Sequence, residues 1–410
     1  MKKWWPVLVL MLILCIGTAA ADASRDGSWE YDPADGGTVE IIRYNGSDEE
    51  LVIPAEIDGN TVSGLGNACF MGNATLRKVT IPDAIVNVRN NPFAGCTKLT
   101  EIVVSIDHPT LATIDGVLFH KPDKRLVTYP CAFTASQYTV PEGIRDIGGS
   151  AFFQSRLTGI ALPSTLTAVG DGAFVQSAVL ESIVIPDSVW YLGQYTFREC
   201  AALRSVQLPA NLEIIDHSVF ENCVSLTGIT IPDKVTEIRG YAFNGCTALA
   251  DVVVSIDHPT LATIDGVLFR KSDKTLLYYP AALTAESYTI PTGIRRIGDS
   301  AFCKNPVLKE VIFPDTVIEI GSNAFSGCAQ LNNVVLPDSL TKVEHWAFFN
   351  CYMLTDVTVP AGVTEIGDNA FISYYCPMTI HTWRGTAAAQ WAKDNGVAHD
   401  YKDALDWLTN

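Results

Sequence analysis

The chain has 410 residues, 48% of them hydrophobic, and a formal charge of −17 from 28 basic and 45 acidic residues. So acidic a protein repels phosphate backbones, and no basic stretch compensates, which excludes nucleic acid as a partner. The apolar content runs evenly from about residue 40 to 380 instead of gathering into two or three blocks, the first sign of internal repetition.

Met1, Lys2 and Lys3 precede an unbroken apolar run from Trp4 to Gly17, and small residues follow to Ala23. A basic start, an apolar stretch of about 14 residues and an Ala-x-Ala exit predict a signal peptide over residues 1–23, because a spanning helix needs about 20 apolar residues. Leu14 is too large for the place before a lipidated cysteine, so Cys15 is not read as an anchor. No later stretch is long enough to span, and the mature chain is expected to be exported, monomeric and without a membrane span.

A phenylalanine, mostly after alanine, recurs at Phe70, Phe93, Phe152, Phe174, Phe197, Phe220, Phe243, Phe302, Phe325, Phe348 and Phe371, at intervals of 22 or 23 residues except for two of 59. Proline keeps step: from Pro82 to Pro360, ten prolines each stand 11 residues before the next Phe, and Pro54 leads by 16. In the unit LTGITIPDKVTEIRGYAFNGCTA, residues 226–248, Leu226, Ile229 and Ile231 share one side of an extended segment. Pro232 ends that strand because it cannot donate the next ladder hydrogen bond. A second short piece carries Val235 and Ile238 inward, then a turn at Gly240 and the buried Phe243. One unit has an apolar side and nothing to cover it; stacking about a dozen buries those sides continuously.

The pattern Leu-x-x-Ile-x-Ile-Pro-x-x-Val-x-x-Ile-Gly-x-x-Ala-Phe-x-x-Cys closely resembles the BspA-like leucine-rich repeats of secreted and surface proteins, chiefly bacterial. The resemblance covers roughly residues 36–398. It implies a mostly β fold: a leucine-rich-repeat solenoid of about 23-residue coils with parallel strands, two inserted β-hairpins and a short C-terminal capping helix. Residues 24–75 are expected to form an N-terminal cap and first repeat, residues 76–380 the repeats, and residues 381–410 a helical cap with its helix from Thr386 to Asn395, stopped at Gly396.

Each 59-residue interval contains one ordinary period plus 36 extra residues. There Asp-Gly, Val-Leu-Phe, a Lys-x-Asp-Lys turn and an aliphatic run ending in Tyr-Pro predict hairpins near 112–140 and 262–290, projecting from the solenoid. The preceding VVSIDHPTLATIDGVLF is identical at 103–119 and 253–269, an offset of 150 that points to block duplication. Neighbours in an extended chain face opposite ways, so Asp107 cannot orient His108, nor Asp257 His258, as a catalytic dyad does. In the resembling family an Asn-Pro commonly stands here, and both histidines are read as turn residues.

Cys96, Cys200, Cys223, Cys246, Cys328 and Cys351 sit three residues after their Phe, where other coils carry Asn73, Ser155, Ser177, Asn305 and Tyr374. Export raises the prospect of disulfides. Stacked side chains run parallel without converging, however, so free buried thiols filling an inner corner are the expectation. A spacing of 23 is no zinc motif, and no metal or cofactor site is predicted. His-Glu-x-x-His, Gly-x-Ser-x-Gly and phosphate-binding Gly loops are absent, so no catalytic residue is assigned. A β-solenoid hydrolase is the outsider, since acidic residues do not recur at one outward position in adjacent coils.

What remains is surface. One outward strand position reads Thr80, Val103, Ala161, Val184, Gln207, Thr230, Val253, Ile312, Val335 and Thr358, a fairly apolar ridge, although Val and Ile also simply suit strands. Trp190, Tyr191, Tyr195 and Tyr241, with Trp346 further on, put aromatics at normally polar places, where they suit protein or sugar contacts. The resemblance implies adhesion or ligand binding, so the chain is expected to bind an extracellular protein of a host or bacterial surface without being an enzyme. A polysaccharide is the second candidate and a passive envelope role the third.

Overall fold

The computed structural model describes residues 21–405, so residues 1–20 of the expected signal peptide lie outside the described residues. The chain divides into two compact units between Val179 and Leu180. Both are β-solenoids whose coils repeat one backbone plan.

The second unit displays that plan most regularly. The outer strands Glu310–Ile312, Asn333–Val335, Asp356–Thr358 and Thr379–Thr382 lie parallel, with equivalent residues paired, as in Ile312 to Val335 to Thr358 to His381. A second parallel ladder joins Arg296–Ile297, Glu319–Ile320, Lys342–Val343 and Glu365–Ile366. Between them the Pro-x-x-Val segment is a turn closed by the Val N–H on the Pro carbonyl, as in Val317 on Pro314 at 3.2 Å and Leu340 on Pro337 at 3.0 Å. A third ladder runs through the Ala-Phe pairs: Phe302 N donates to Ala324 O, Phe325 N to Ala347 O and Phe348 N to Ala370 O, each at 2.8 Å. With backbone groups satisfied from coil to coil, the interior is filled mainly by apolar side chains, with a few buried polar ones such as His258 and Asn305 at the turns. The Phe rings stack along it, Phe302 on Phe325 at 4.8 Å, Phe325 on Phe348 at 5.0 Å and Phe348 on Phe371 at 5.4 Å, near the 4.7–4.9 Å spacing of paired strands.

A stack leaves an apolar face at its end. In the second unit the helix Ala387–Asp394 covers it, N-capped by Thr386 and followed by Gly396 at φ +66°. Ala388, Ala389 and Ala392 are buried beneath the helix, and Trp391 sets its ring against Phe371 at 5.8 Å while its Nε1 donates to Gly367 O at 3.1 Å. In the first unit the antiparallel pair Trp29–Ala34 and Thr38–Tyr44 does the same work. Thr38–Tyr44 continues parallel onto Asn60–Leu65, and Trp29 and Tyr44 extend the ring stack to Phe70 and Phe93.

The inserted hairpins are present, and each is the first part of a three-stranded antiparallel meander: Leu111–Ile114, Val117–His120 and Arg125–Thr128, then Leu261–Ile264, Val267–Arg270 and Thr275–Tyr278. Asp115-Gly116 and Asp265-Gly266 have positive φ at both residues, the two-residue turn that matches strand twist. The meanders do not project, which corrects the expectation from sequence. Val117, Leu118, Phe119 and Leu126 are buried, and the third strand pairs parallel with the next coil, Arg125 with Asp146 and Thr275 with Arg296. The reason lies in Val-Leu-Phe itself: a continuous apolar run, unlike an alternating one, needs cover on both faces. Tyr129 and Tyr279 then take the stacking place of a Phe, 5.2 Å from Phe152 and 5.0 Å from Phe302.

Candidate functional site

The histidine of the duplicated Asp-His pair holds a turn. His108 and His258 are fully buried, and each Nδ1 accepts two backbone N–H groups, from Thr110 and Leu111 and from Thr260 and Leu261, at 3.1–3.3 Å. Asn73 and Asn305 do the same with Oδ1, holding the N–H of the second and third residues onward at 2.9–3.1 Å. Since Nδ1 is an acceptor, the proton sits on Nε2, which in His258 meets Pro232 O at 3.1 Å. Burial is the largest influence on His108 and holds its imidazole below the ordinary value of about 6.5, against the opposing pull of Asp83 and the Pro82 carbonyl. The unfolded chain therefore binds a proton more readily: stability from this group is present above about pH 6.5 and is lost as the pH falls through the lower folded value. His108→Asn is expected to keep both backbone contacts, change stability by less than about 1 kcal/mol at pH 7 and flatten the acid side of the stability profile, whereas His108→Ala costs about 1–3 kcal/mol. Urea melts between pH 5 and 8 check this, and an Asn variant as damaged as the Ala variant defeats it.

The corner thiols have an equally plain role. Cys96, Cys223, Cys246, Cys328 and Cys351 each direct Sγ to the carbonyl of a Phe 26 residues earlier, in the preceding coil, at 3.0–3.1 Å. Ser177 Oγ makes the equivalent bond to Phe152 O at 2.8 Å. Burial pushes the Cys246 and Cys351 thiols up to about 12. Among the described residues no group of three or more His, Cys, Asp or Glu is placed to hold a metal ion.

The ridge residues face outward, unevenly. Val184 and Val335 are 59% and 71% exposed, Val253 and Ile312 are exposed, and Gln207 and Thr230 are exposed between the apolar members, while Val103 is only half-buried at its rung beside Thr80. Within the second unit Ile312 and Val335 are direct rung neighbours, flanked by a shallow depression of about 310 Å³ that Phe313, Leu336 and Pro337 also line. Acidic groups rim it: Glu310, Asp315 and Asp338 line the same depression. Further along the row His381 bridges Asp400 (2.7 Å) and Asp356 (3.3 Å), and hydrogen bonding to Asp400 above all raises its affinity for a proton.

The aromatic set separates into two. Trp190, 63% exposed, and Tyr191 stand side by side with ring centroids 6.0 Å apart. Tyr195, Tyr241 and Trp346 instead occupy a corner two residues before the Phe, with φ of 59°, 63° and 54°, where other coils carry Ser218, Ser300, Asn323 or Asn369. Left-handed backbone disfavours a bulky side chain by about 1–2 kcal/mol, so these three aromatics sit there against local preference. Tyr195 lies under the Arg198 guanidinium at 5.9 Å, Trp346 beside His345, and Tyr241 at a cavity.

Sequence reasoning missed three exposed aliphatics. Val52 pairs in register with Thr80 and begins the ridge one rung earlier, a place hidden by the longer spacing at Pro54. Ile106 and Ile256 are 96% and 92% exposed at the tips of the duplicated turns. Their signal was the aliphatic residue beside Asp-His-Pro, inside a turn and not a strand.

A family model described as BspA type leucine rich repeat region matches in six copies over residues 55–138, 126–250 and 277–385. Among solved structures, the chain is similar to a leucine rich cell surface protein from Faecalibacterium prausnitzii A2-165, at 25% identity and a TM-score of 0.54, over 94% of this chain and 99% of that one. It is similar in fold to the pneumococcal vaccine antigen PcpA, at 21% identity and a TM-score of 0.56, over 89% and 82%. No curated protein matches. Among the described residues no helix is long and apolar enough to cross a membrane.

Proposed function

The chain belongs to the BspA-type leucine-rich-repeat family, and from that premise we propose that it is an exported, surface-associated, non-enzymatic binding protein that takes an extracellular protein partner on the outward face of its parallel strands. The observation that carries this reading is the apolar row of the second unit, Val184, Val253, Ile312 and Val335, exposed on strands whose inward neighbours are fully committed to the core. Isolated exposed aliphatics are ordinary, but Ile312 and Val335 on adjacent rungs form an apolar centre with an acidic rim. Together with a net charge of −17, this suits a partner with an apolar centre and a basic rim.

Residues 24–410, screened against immobilised extracellular-matrix proteins, are expected to bind at least one, and the triple change of Val184, Val253 and Val335 to Asp is expected to abolish binding with the melting temperature intact. Binding that survives the triple change removes the strand face from consideration. A polysaccharide is the second reading, favoured by the exposed Trp190–Tyr191 pair; glycan binding lost in Trp190→Ala, with no protein binding, decides for it.

A further inference from the structure

The duplication supplies an internal comparison. Where the meander rejoins the coils, the same junction is built twice, 150 residues apart, and the two versions differ. In the first, Asn91 closes it: its N donates to Gly149 O at 3.1 Å, its Nδ2 donates to Ser150 O at 2.8 Å, and its Oδ1 accepts from Thr128 Oγ1 at 2.8 Å. Gly149 N also donates to Asn90 Oδ1 at 3.1 Å. In the second, Gly240, Tyr241, Tyr278 and Asp299 stand where Asn90, Asn91, Thr128 and Gly149 stood, and none of these four hydrogen bonds recurs. A cavity of about 260 Å³ opens there. Ile238 is left half-buried beside it, although its counterpart Val88 is buried.

The lining is polar and balanced. Arg239 pairs with Glu237 and Asp216, Arg296 with Asp299 and Glu319, and Arg270 with Asp273, so no uncompensated charge calls for a counter-ion. Asn244 Oδ1, Tyr278 OH and Ser300 Oγ line the cavity from side chains more than nine-tenths buried; Asn244 Oδ1 meets no partner, while Tyr278 OH and Ser300 Oγ have only the Ala281 backbone and the Tyr241 side chain beyond ordinary hydrogen-bond reach. Buried polar groups without partners are rare in folded proteins and mark a place for something that supplies the missing bonds. Tyr241, held in the disfavoured left-handed region, adds an aromatic ring to a lining otherwise rich in donors and acceptors.

We propose that this junction binds one residue of a neutral sugar, its hydroxyls completing the hydrogen bonding of Asn244, Tyr278 and Ser300 and its C–H face lying against Tyr241. A hexose fills roughly six water volumes, about 180 Å³, which the cavity of about 260 Å³ accommodates with room for two or three waters. Paired Arg and carboxylate groups offer donors and acceptors side by side, as vicinal hydroxyls need, whereas an anion gains nothing from cations already neutralised. A single ring in so small a site binds with a dissociation constant on the order of 1 mM. The site is separate from the strand face, so its failure leaves the protein-binding proposal standing, and the reverse.

Residues 24–410 titrated with glucose, galactose and mannose, followed by saturation-transfer NMR and calorimetry, test it, with glucuronate and inorganic phosphate as anionic controls. At least one neutral hexose is expected to bind. Tyr241→Asn combined with Tyr278→Thr restores two of the four residues, the pair joined side chain to side chain in the closed junction, and is expected to abolish binding. Asn244→Ala, which places the first junction's Ala94 in the second, is expected to weaken it roughly tenfold and decides the matter if the double variant does not fold. The absence of hexose binding, affinity unchanged in Asn244→Ala or in a folded double variant, or tighter binding of glucuronate or phosphate than of any hexose overturns the proposal.

Discussion

Phe325→Ala is expected to remove about 3–5 kcal/mol of stability. Phe325 is fully buried, stacked between Phe302 at 4.8 Å and Phe348 at 5.0 Å, with the edge of Phe313 at 5.9 Å. The cost of a cavity depends on how far the walls can close. Here they cannot close far, because Phe302 N on Ala324 O and Phe325 N on Ala347 O fix the spacing of the coils above and below. Phe349→Ala is the natural comparison: that ring is half-buried, meets Tyr374 edge-on, and its loss is expected to cost less than about 1.5 kcal/mol. Because each coil touches chiefly its neighbours, the damage should be local, and amide exchange in the coils around residues 302–348 should rise before exchange near Phe220. A urea melt showing a Phe325→Ala loss below about 1 kcal/mol, or equal losses for the two variants, defeats the account of the ring stack as the main axial element.

Much of this architecture was legible because burial has a period. Phe at intervals of 22 or 23 residues and an aliphatic-Pro pair 11 residues earlier specify where the chain turns inward and where it must stop pairing, and the structure places both as read. The helix after Thr386 was legible from its N-cap and its Gly396 stop, and the structure gives Ala387–Asp394. The inserted strands were legible as hairpins but not as part of the core, since that depends on the coil that follows them. Tyr129 and Tyr279 stand in for a ring of the stack although their Tyr-Pro context resembles no other coil. The corner chemistry was half-legible: Cys, Asn and His each stand three residues before a Leu, in Cys96 to Leu99, Asn73 to Leu76 and His108 to Leu111. What each atom binds differs. The amide and imidazole accept backbone N–H groups, and the thiol donates to a carbonyl of the preceding coil. The cavity at Tyr241 was not legible at all, because it arises from bonds that Gly240, Tyr241 and Tyr278 fail to make, and a repeat pattern records only what recurs.

Iodoacetamide at pH 8 is expected to leave eight of the ten described cysteines untouched in the folded protein, Cys69, Cys96, Cys131, Cys200, Cys223, Cys246, Cys328 and Cys351 all being buried. Two effects multiply. An ordinary thiol is roughly one-quarter thiolate at pH 8, but one pushed to about 12, as Cys246 and Cys351 are, is ionised only to about one part in ten thousand, some three orders of magnitude less. The reagent must also reach a sulfur that solvent does not. Cys376, partly exposed, should label fastest, and Cys303, pushed to about 11 by burial, slowly; all ten should label once urea unfolds the chain. Disulfides between coils are disfavoured by the same geometry even in an oxidising compartment. Cys223 donates to Phe197 O and Cys246 to Phe220 O, so the thiols run parallel, and turning one toward its neighbour strands a buried carbonyl at about 1–3 kcal/mol. A serine should serve at these places, as Ser177 already does against Phe152 O, so Cys328→Ser is expected to fold with a loss well below that of Cys328→Val. Peptide mapping that finds rapid native labelling of Cys246 or Cys351, or a Cys223–Cys246 bridge, contradicts the donor role of the thiol, whereas protection of Cys96, Cys223, Cys246, Cys328 and Cys351 agrees with a buried inner corner whose thiol donates to the preceding coil.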